Sequence, residues 1–210
     1  MHRRGDIGFK HRDPGDDIYN DSKDFFHFHP FIFEKYQDFI NKNPVVATFL
    51  NEAHILWKEV YRVFKEVLGE FDKLSPGAAS KIFDNPHPHI LLRFLKYDWN
   101  RSGKYLAKPH FDAGSFTLAV AESCPGLRIG TGLDDLELIQ HQDGKVIFMA
   151  ASNLKKIVDI EGLSPGWHDV IQLDETKIGK HFARWAIVAF CDGHSVEALP
   201  RAETHKYALN

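Results

Sequence analysis

The sequence predicts a mainly β fold with flanking helices, a barrel or sandwich carrying a long helix on one outer face. Three observations carry this. A long amphipathic stretch occupies the first half of the chain, a series of short β-type runs fills the second half, and turn residues punctuate those runs. At 210 residues the chain is short for two independent cores, so residues 1–210 read as one domain. With 17 Phe and 4 Trp, that core should be thick.

Residues 1–30 are polar, charged and irregular, with a turn at Pro14-Gly15, and read as a loop-like arm partly packed through Phe25, Phe26 and Phe28. A helical region follows over residues 31–83. A short helix fits Phe31 to Asn41, and Asn43-Pro44 then offers an N-cap and a proline at the first helical position. From Val46 through Phe49, Leu50, Ala53, Trp57, Val60, Phe64 and Leu68 to Phe71, apolar residues recur at three- and four-residue steps. One face of a long helix is therefore apolar to about Asp72. Ser75-Pro76-Gly77 breaks it, and a helical piece near Ala78 to Phe83 comes next.

The β-type runs are Ile90 to Tyr97, Ser115 to Glu122, Leu127 to Ile129, Leu136 to Gln140, Lys145 to Ala150, Leu154 to Val158, Asp169 to Leu173 and Arg184 to Cys191. The breaks between them hold Pro125-Gly126, Asp143-Gly144 and Ser164-Pro165-Gly166.

A formal charge of -3 and no Lys/Arg-rich stripe leave no cationic field for phosphates, which argues against a nucleic-acid partner. Two distant cysteines, Cys124 and Cys191, give neither a disulfide framework nor a zinc ribbon, and a reducing cytoplasm fits best. The longest apolar run, Trp185 to Cys191, is too short to span a bilayer, and the first residues lack a signal-peptide core.

Thirteen histidines are many for this length, and histidine is the commonest metal ligand. In an extended strand, His-x-Asp places imidazole and carboxylate on one side, within reach of one ion. Three such pairs occur. His11/Asp13 lies in the charged arm and reads as solvated, and His141/Asp143 runs into Gly144, so Asp143 reads as the turn residue of an Asp-Gly hairpin. His110/Asp112 ends a loop and opens the apolar run SFTLAVAE, where both groups could face a barrel interior. Two histidines and one carboxylate on one face of an iron(II) ion leave positions open for a co-substrate and O2. Among later histidines, His168 also sits at a strand start, opening HDVIQL. His194, His181 and His205 are the other downstream candidates.

The ordered runs LLRFLKYD, PHFDAGSFTLAVAE, PGLRIG, GKVIFMAASNLKKIVD, SPGWHDVIQL and ARWAIVAF resemble the core of the isopenicillin N synthase-like iron(II)/2-oxoglutarate dioxygenases. The resemblance covers residues 88–200 and implies a double-stranded β-helix (jelly-roll) barrel backed by the long helix. It implies His110 and Asp112 as proximal ligands, His168 as the distal one, Arg184 as the cation for the far carboxylate of 2-oxoglutarate, and Tyr97 as its helper. Fe(II), 2-oxoglutarate and O2 would be the reactants, with a small-molecule substrate hydroxylated as 2-oxoglutarate becomes succinate. The chain differs from the family at Ala186, where a serine is usual, and in a longer interval from His168 to Arg184. Physical chemistry supports an arginine independently, because a dicarboxylate held at one end by a metal needs a fixed bidentate cation at the other.

Arg93, flanked by apolar residues, is a competing buried cation with a structural ion pair as its plainer role. A rival set, resembling prolyl 4-hydroxylases, uses His194 as distal ligand and Lys206 as cation. A zinc hydrolase with the same three ligands, or a non-catalytic jelly-roll binding protein, are the remaining alternatives. Phe94, Phe111, Phe116 and Phe148 are candidate pocket walls, with core packing the plainer role. His27, His29, His87 and His89 form clusters expected at the surface, and His54 is expected to be packed or at an edge of the long helix.

Overall fold

Two antiparallel sheets face each other in the protein, which is described by a computed structural model over residues 7–12, 23–99, 105–132, 134–177, 180–194 and 196. The larger sheet has the order β1-β2-β3-β10-β5-β8, built from β1 (Gly8–Arg12), β2 (Lys23–Phe28), β3 (His89–Trp99), β10 (Lys180–Asp192), β5 (Phe116–Glu122) and β8 (Ile147–Ala150). The smaller has the order β4-β9-β6-β7, from β4 (Tyr105–His110), β9 (Trp167–Ile171), β6 (Leu127–Gly130) and β7 (Glu137–Leu138). This is the jelly-roll that the resemblance implies.

Helix α3 (Pro44–Asp72) matches the predicted limits and lays Leu50, Ala53, Val60, Phe64 and Leu68 on the outer face of the larger sheet. There it meets Phe28, Ile90, Leu92, Phe116, Leu118 and Ala189. The strand period of two then sends the alternate residues, among them Leu95, Tyr97, Ala119 and Ala186, to the space between the sheets. Trp57 ties helix to sheet by donating its indole N–H to the Ile90 carbonyl at 2.8 Å. Asn43 does not cap α3 with its side chain, which donates back to the Phe39 carbonyl, and Pro44 alone marks the start. The predicted helix over 31–41 is two short ones, α1 (Phe31–Lys35) and α2 (Gln37–Asn41), and α4 (Ser80–Phe83) follows α3.

Four expectations are corrected. The described residues of the amino-terminal arm, which leave out Pro14-Gly15, are largely sheet, because β2 alternates Lys23, Phe25 and His27 toward the interior and pairs along β3 from Lys23↔Tyr97 to Phe28↔Leu92. His110 closes a strand instead of opening one; β4 holds Pro109 because it is the edge of its sheet, where a missing N–H is tolerated. The run Leu154 to Val158 is a helical turn, α5 (Leu154–Ile157), with Leu154 and Ile157 buried three residues apart and Lys155 and Lys156 exposed between them. Asp143-Gly144 makes a turn with Gly144 at φ 74°, but it is no hairpin: the strands on either side, β7 and β8, belong to different sheets. No helix among the described residues is long and apolar enough to cross a membrane.

Candidate metal centre

Strands β4 and β9 are neighbours, and their register sets His110 directly opposite His168. The two rings lie 4.4 Å apart between centroids. Both are oriented by the same device. His110 Nδ1 lies 2.7 Å from the Lys108 carbonyl and His168 Nδ1 lies 3.1 Å from the Gly166 carbonyl. A carbonyl only accepts, so each Nδ1 carries the donated proton, which makes Nε2 the atom each ring would offer to a metal. Those two Nε2 atoms face the Asp112 carboxylate at 3.8 Å and 3.7 Å. One ligand atom from each residue falls within 4.8 Å of the others, the one such cluster among the described residues. Two imidazoles and one carboxylate suit a divalent first-row ion.

Asp112 owes its position to a clamped loop, residues 111–115. The Ser152 N–H donates to the Asp112 carbonyl at 2.9 Å, the Asn153 N–H to the Gly114 carbonyl at 2.8 Å, and the buried Asn153 side chain to the Ala113 carbonyl at 3.1 Å. From the other side Ser115 donates its hydroxyl to Asp192 Oδ1 at 2.6 Å, while burial pushes the Asp192 carboxyl above its usual range. Thr117, at the start of β5, donates its hydroxyl to Asp112 Oδ2 at 2.7 Å. These contacts fix the ligand's backbone and its carboxylate plane before any ion arrives.

Behind the triad a cavity runs between the sheets, and all five predicted site residues line it: His110, Asp112, His168, Arg184 and Tyr97. Arg184 lies against Gly126, where a Cβ would overlap the Ile171 carbonyl and stand 3.4 Å from Arg184 Nε; only glycine permits that approach. Ile171 is three residues beyond His168 on β9, so the guanidinium sits roughly 10 Å from the triad along the strand. Arg184 is 2% exposed and stands 5.8 Å over the Tyr97 ring. It is already engaged: Nη2 donates to Glu122 Oε2 and Nε to the Cys124 carbonyl.

Sequence reasoning missed Thr117, Glu122 and Lys23, all of which line this cavity. The only signal for Glu122 was an acid closing the apolar run FTLAVAE. Arg93 also lines the cavity, with Nε donating to His27 Nε2 at 2.6 Å and the guanidinium between the Phe25 and Phe190 rings at 4.9 and 4.5 Å. His27 is therefore buried, contrary to the expected surface cluster. The four candidate wall phenylalanines pack elsewhere: Phe94, Phe116 and Phe148 on the α3 side of the sheet, and Phe111 against Trp167.

The rival centre does not assemble. His194 is exposed and pairs with Asn85, away from Asp112, and Lys206 and His205 lie outside the described residues. The His181 side chain and Asp13 also lie outside them, and His141 is half-buried against the Lys145 carbonyl.

No family model matches this chain, and no curated protein does. Solved structures do match in fold. A candidate oxygenase from Shewanella oneidensis aligns at TM-score 0.60 and 19% identity over 99% of this chain and 74% of its own. Dioxygenase for auxin oxidation 1 from Arabidopsis thaliana, solved with 2-oxoglutarate, aligns at 0.63 and 15% over 97% of this chain and 74% of its own. A full-length protein from Neurospora crassa, solved with α-ketoglutarate and 5-formyluracil, aligns at 0.60 and 17% over 93% of this chain and 64% of its own. The chain shares the jelly-roll fold of these proteins and spans between 64% and 74% of their length.

Proposed function

We propose that this protein is a non-heme iron(II) and 2-oxoglutarate-dependent oxygenase that hydroxylates a small organic substrate while 2-oxoglutarate is converted to succinate and CO2. The observation carrying the reading is the His110–Asp112–His168 cluster, with both rings held at Nδ1 by backbone carbonyls and Nε2 turned to Asp112, at the head of a cavity whose other end holds an arginine. The bound 2-oxoglutarate of the fold neighbours supports the same co-substrate.

His110, Asp112 and His168 would hold the iron from one side. Bound there with 2-oxoglutarate, the metal supplies O2 activation, chemistry no side chain of this protein can perform. The chain's own residues bind, orient and exclude water. Arg184, at the other end of the same cavity, would receive the far carboxylate, and Tyr97 supports the guanidinium with its ring face. Ala107, Val170 and Leu127 keep the intervening space apolar.

Anaerobic titration of the apo-protein with iron(II) and then 2-oxoglutarate tests this. The visible charge-transfer band of the chelate should appear in the wild type, vanish in His168→Ala and weaken in Arg184→Lys, where a point charge replaces a bidentate fork. If iron binds and no band forms, the metal centre stands and the 2-oxoglutarate assignment falls.

A further inference from the structure

Glu122 reaches the cavity through an irregularity of β5. On β10, Ala186, Val188 and Phe190 face inward, and their partners on β5 are Glu122, Ala119 and Thr117. From Thr117 to Ala119 the step is two residues, but from Ala119 to Glu122 it is three, because the register shifts between Ile187 and Val188 and leaves Val120 as the extra residue. Without that bulge the period of two would turn Glu122 to the opposite face. The bulge aims a carboxylate at Arg184 from inside the co-substrate space. Side-chain exposures of 3% and 6% make this a buried pair.

We propose that Glu122 is a tethered stand-in for the far carboxylate of the co-substrate: it pairs with Arg184, is displaced when a dicarboxylate binds, and so sets affinity and selectivity at that end. This rests on the reading of Arg184 given above. Three observations support exchange over a permanent structural pair. Glu122 Oε1 is buried with no hydrogen-bond partner among the described residues, so Arg184 engages only one of its two oxygens, whereas an arriving carboxylate can present both oxygens to the fork. If Glu122 stayed, two carboxylates would share one buried guanidinium, and like charges there repel. Glu122 also borders a second, more open groove that contains Lys145 and His141, so the two spaces adjoin at this residue.

The test compares metal-loaded wild type with Glu122→Gln, which keeps size and one acceptor oxygen, and with Glu122→Ala. Anaerobic calorimetry on iron(II)-loaded protein measures binding of 2-oxoglutarate and of 2-oxobutyrate, which offers the metal the same oxo-acid end but has no far carboxylate. Both variants should bind 2-oxoglutarate at least about fivefold more tightly than the wild type and leave 2-oxobutyrate unchanged. Adding Arg184→Met to Glu122→Gln should abolish the gain. Equal or weaker 2-oxoglutarate binding in both variants, with the wild type binding well, overturns the stand-in role and leaves the oxygenase reading intact. A gain for both ligands alike overturns it too, since the effect would then be general loosening. If neither wild type nor variants bind 2-oxoglutarate although iron binds, the co-substrate reading fails and the stand-in role with it.

Discussion

The two ends of the cavity solve opposite problems with similar materials. At the head, His110, Asp112 and His168 turn their ligand atoms toward one another and keep them from closing into short contacts, the nearest histidine–carboxylate approach being 3.7 Å. Their polarity is managed from behind, by backbone carbonyls at each Nδ1 and by Thr117 at Asp112. At the far end, Arg184 and Glu122 close directly on each other. Exposure explains the difference. The head retains some access to solvent, with side chains 19%, 15% and 8% exposed, so ligand atoms set apart from one another are tolerable there. The far end has almost none, and a lone guanidinium would be costly to bury. One end keeps its polar side chains apart; the other pairs them.

The largest expected effect breaks the head alone. In His168→Ala or Asp112→Ala, bound iron(II) should fall from about one per chain to near zero, because two ligands do not make a facial site. Metal analysis after dialysis reads the loss, and far-ultraviolet circular dichroism should stay at the wild-type signal. Iron retained at full stoichiometry would remove the head from the comparison altogether. The next effect breaks the far end alone. Arg184→Met strands a buried Glu122 and should cost about 3–5 kcal/mol in urea unfolding of the apo-protein, with iron affinity kept. Glu122→Gln combined with Arg184→Met should recover most of that loss. If the single variant is as stable as wild type, the pair is not the closure described here.

How the two ends could be read from the sequence differs in the same way. The triad was legible because its geometry is local: His-x-Asp needs one extended segment, and His168 needs only to start a neighbouring strand. Arg184 was legible as a cation heading the most apolar strand. Its partner was not, because the inward phase of Glu122 depends on the bulge at Val120, which no residue type in AVAE announces. Elsewhere α3 was read to its limits from Pro44 and the helical period. Strand β2 was missed because its inward residues include Lys23 and His27, which conceal the alternation, and β4 because Pro109 reads as a break unless the strand is known to be an edge. Two lysines inside Leu154 to Val158 fit a single helical turn better than a strand, a signal that was present and misread.

The smallest effect sharpens the contrast at the head. Thr117 is 1% exposed, and its hydroxyl makes one hydrogen bond, to Asp112 Oδ2. Valine has nearly the same shape, so Thr117→Val removes that bond and little else. If the head is ordered from behind, as argued, a carboxylate no longer fixed in plane must give up orientational freedom when the metal binds. Iron(II) affinity, read by competition with a chromophoric chelator, should then fall about tenfold, within the usual range for an outer contact to a metal ligand. Thr117→Ser restores the hydroxyl without the methyl group and should return most of the affinity. An unchanged affinity in Thr117→Val would mean that Asp112 is held by its clamped loop alone, and that the backbone contacts of residues 111–115 account for the order at the head.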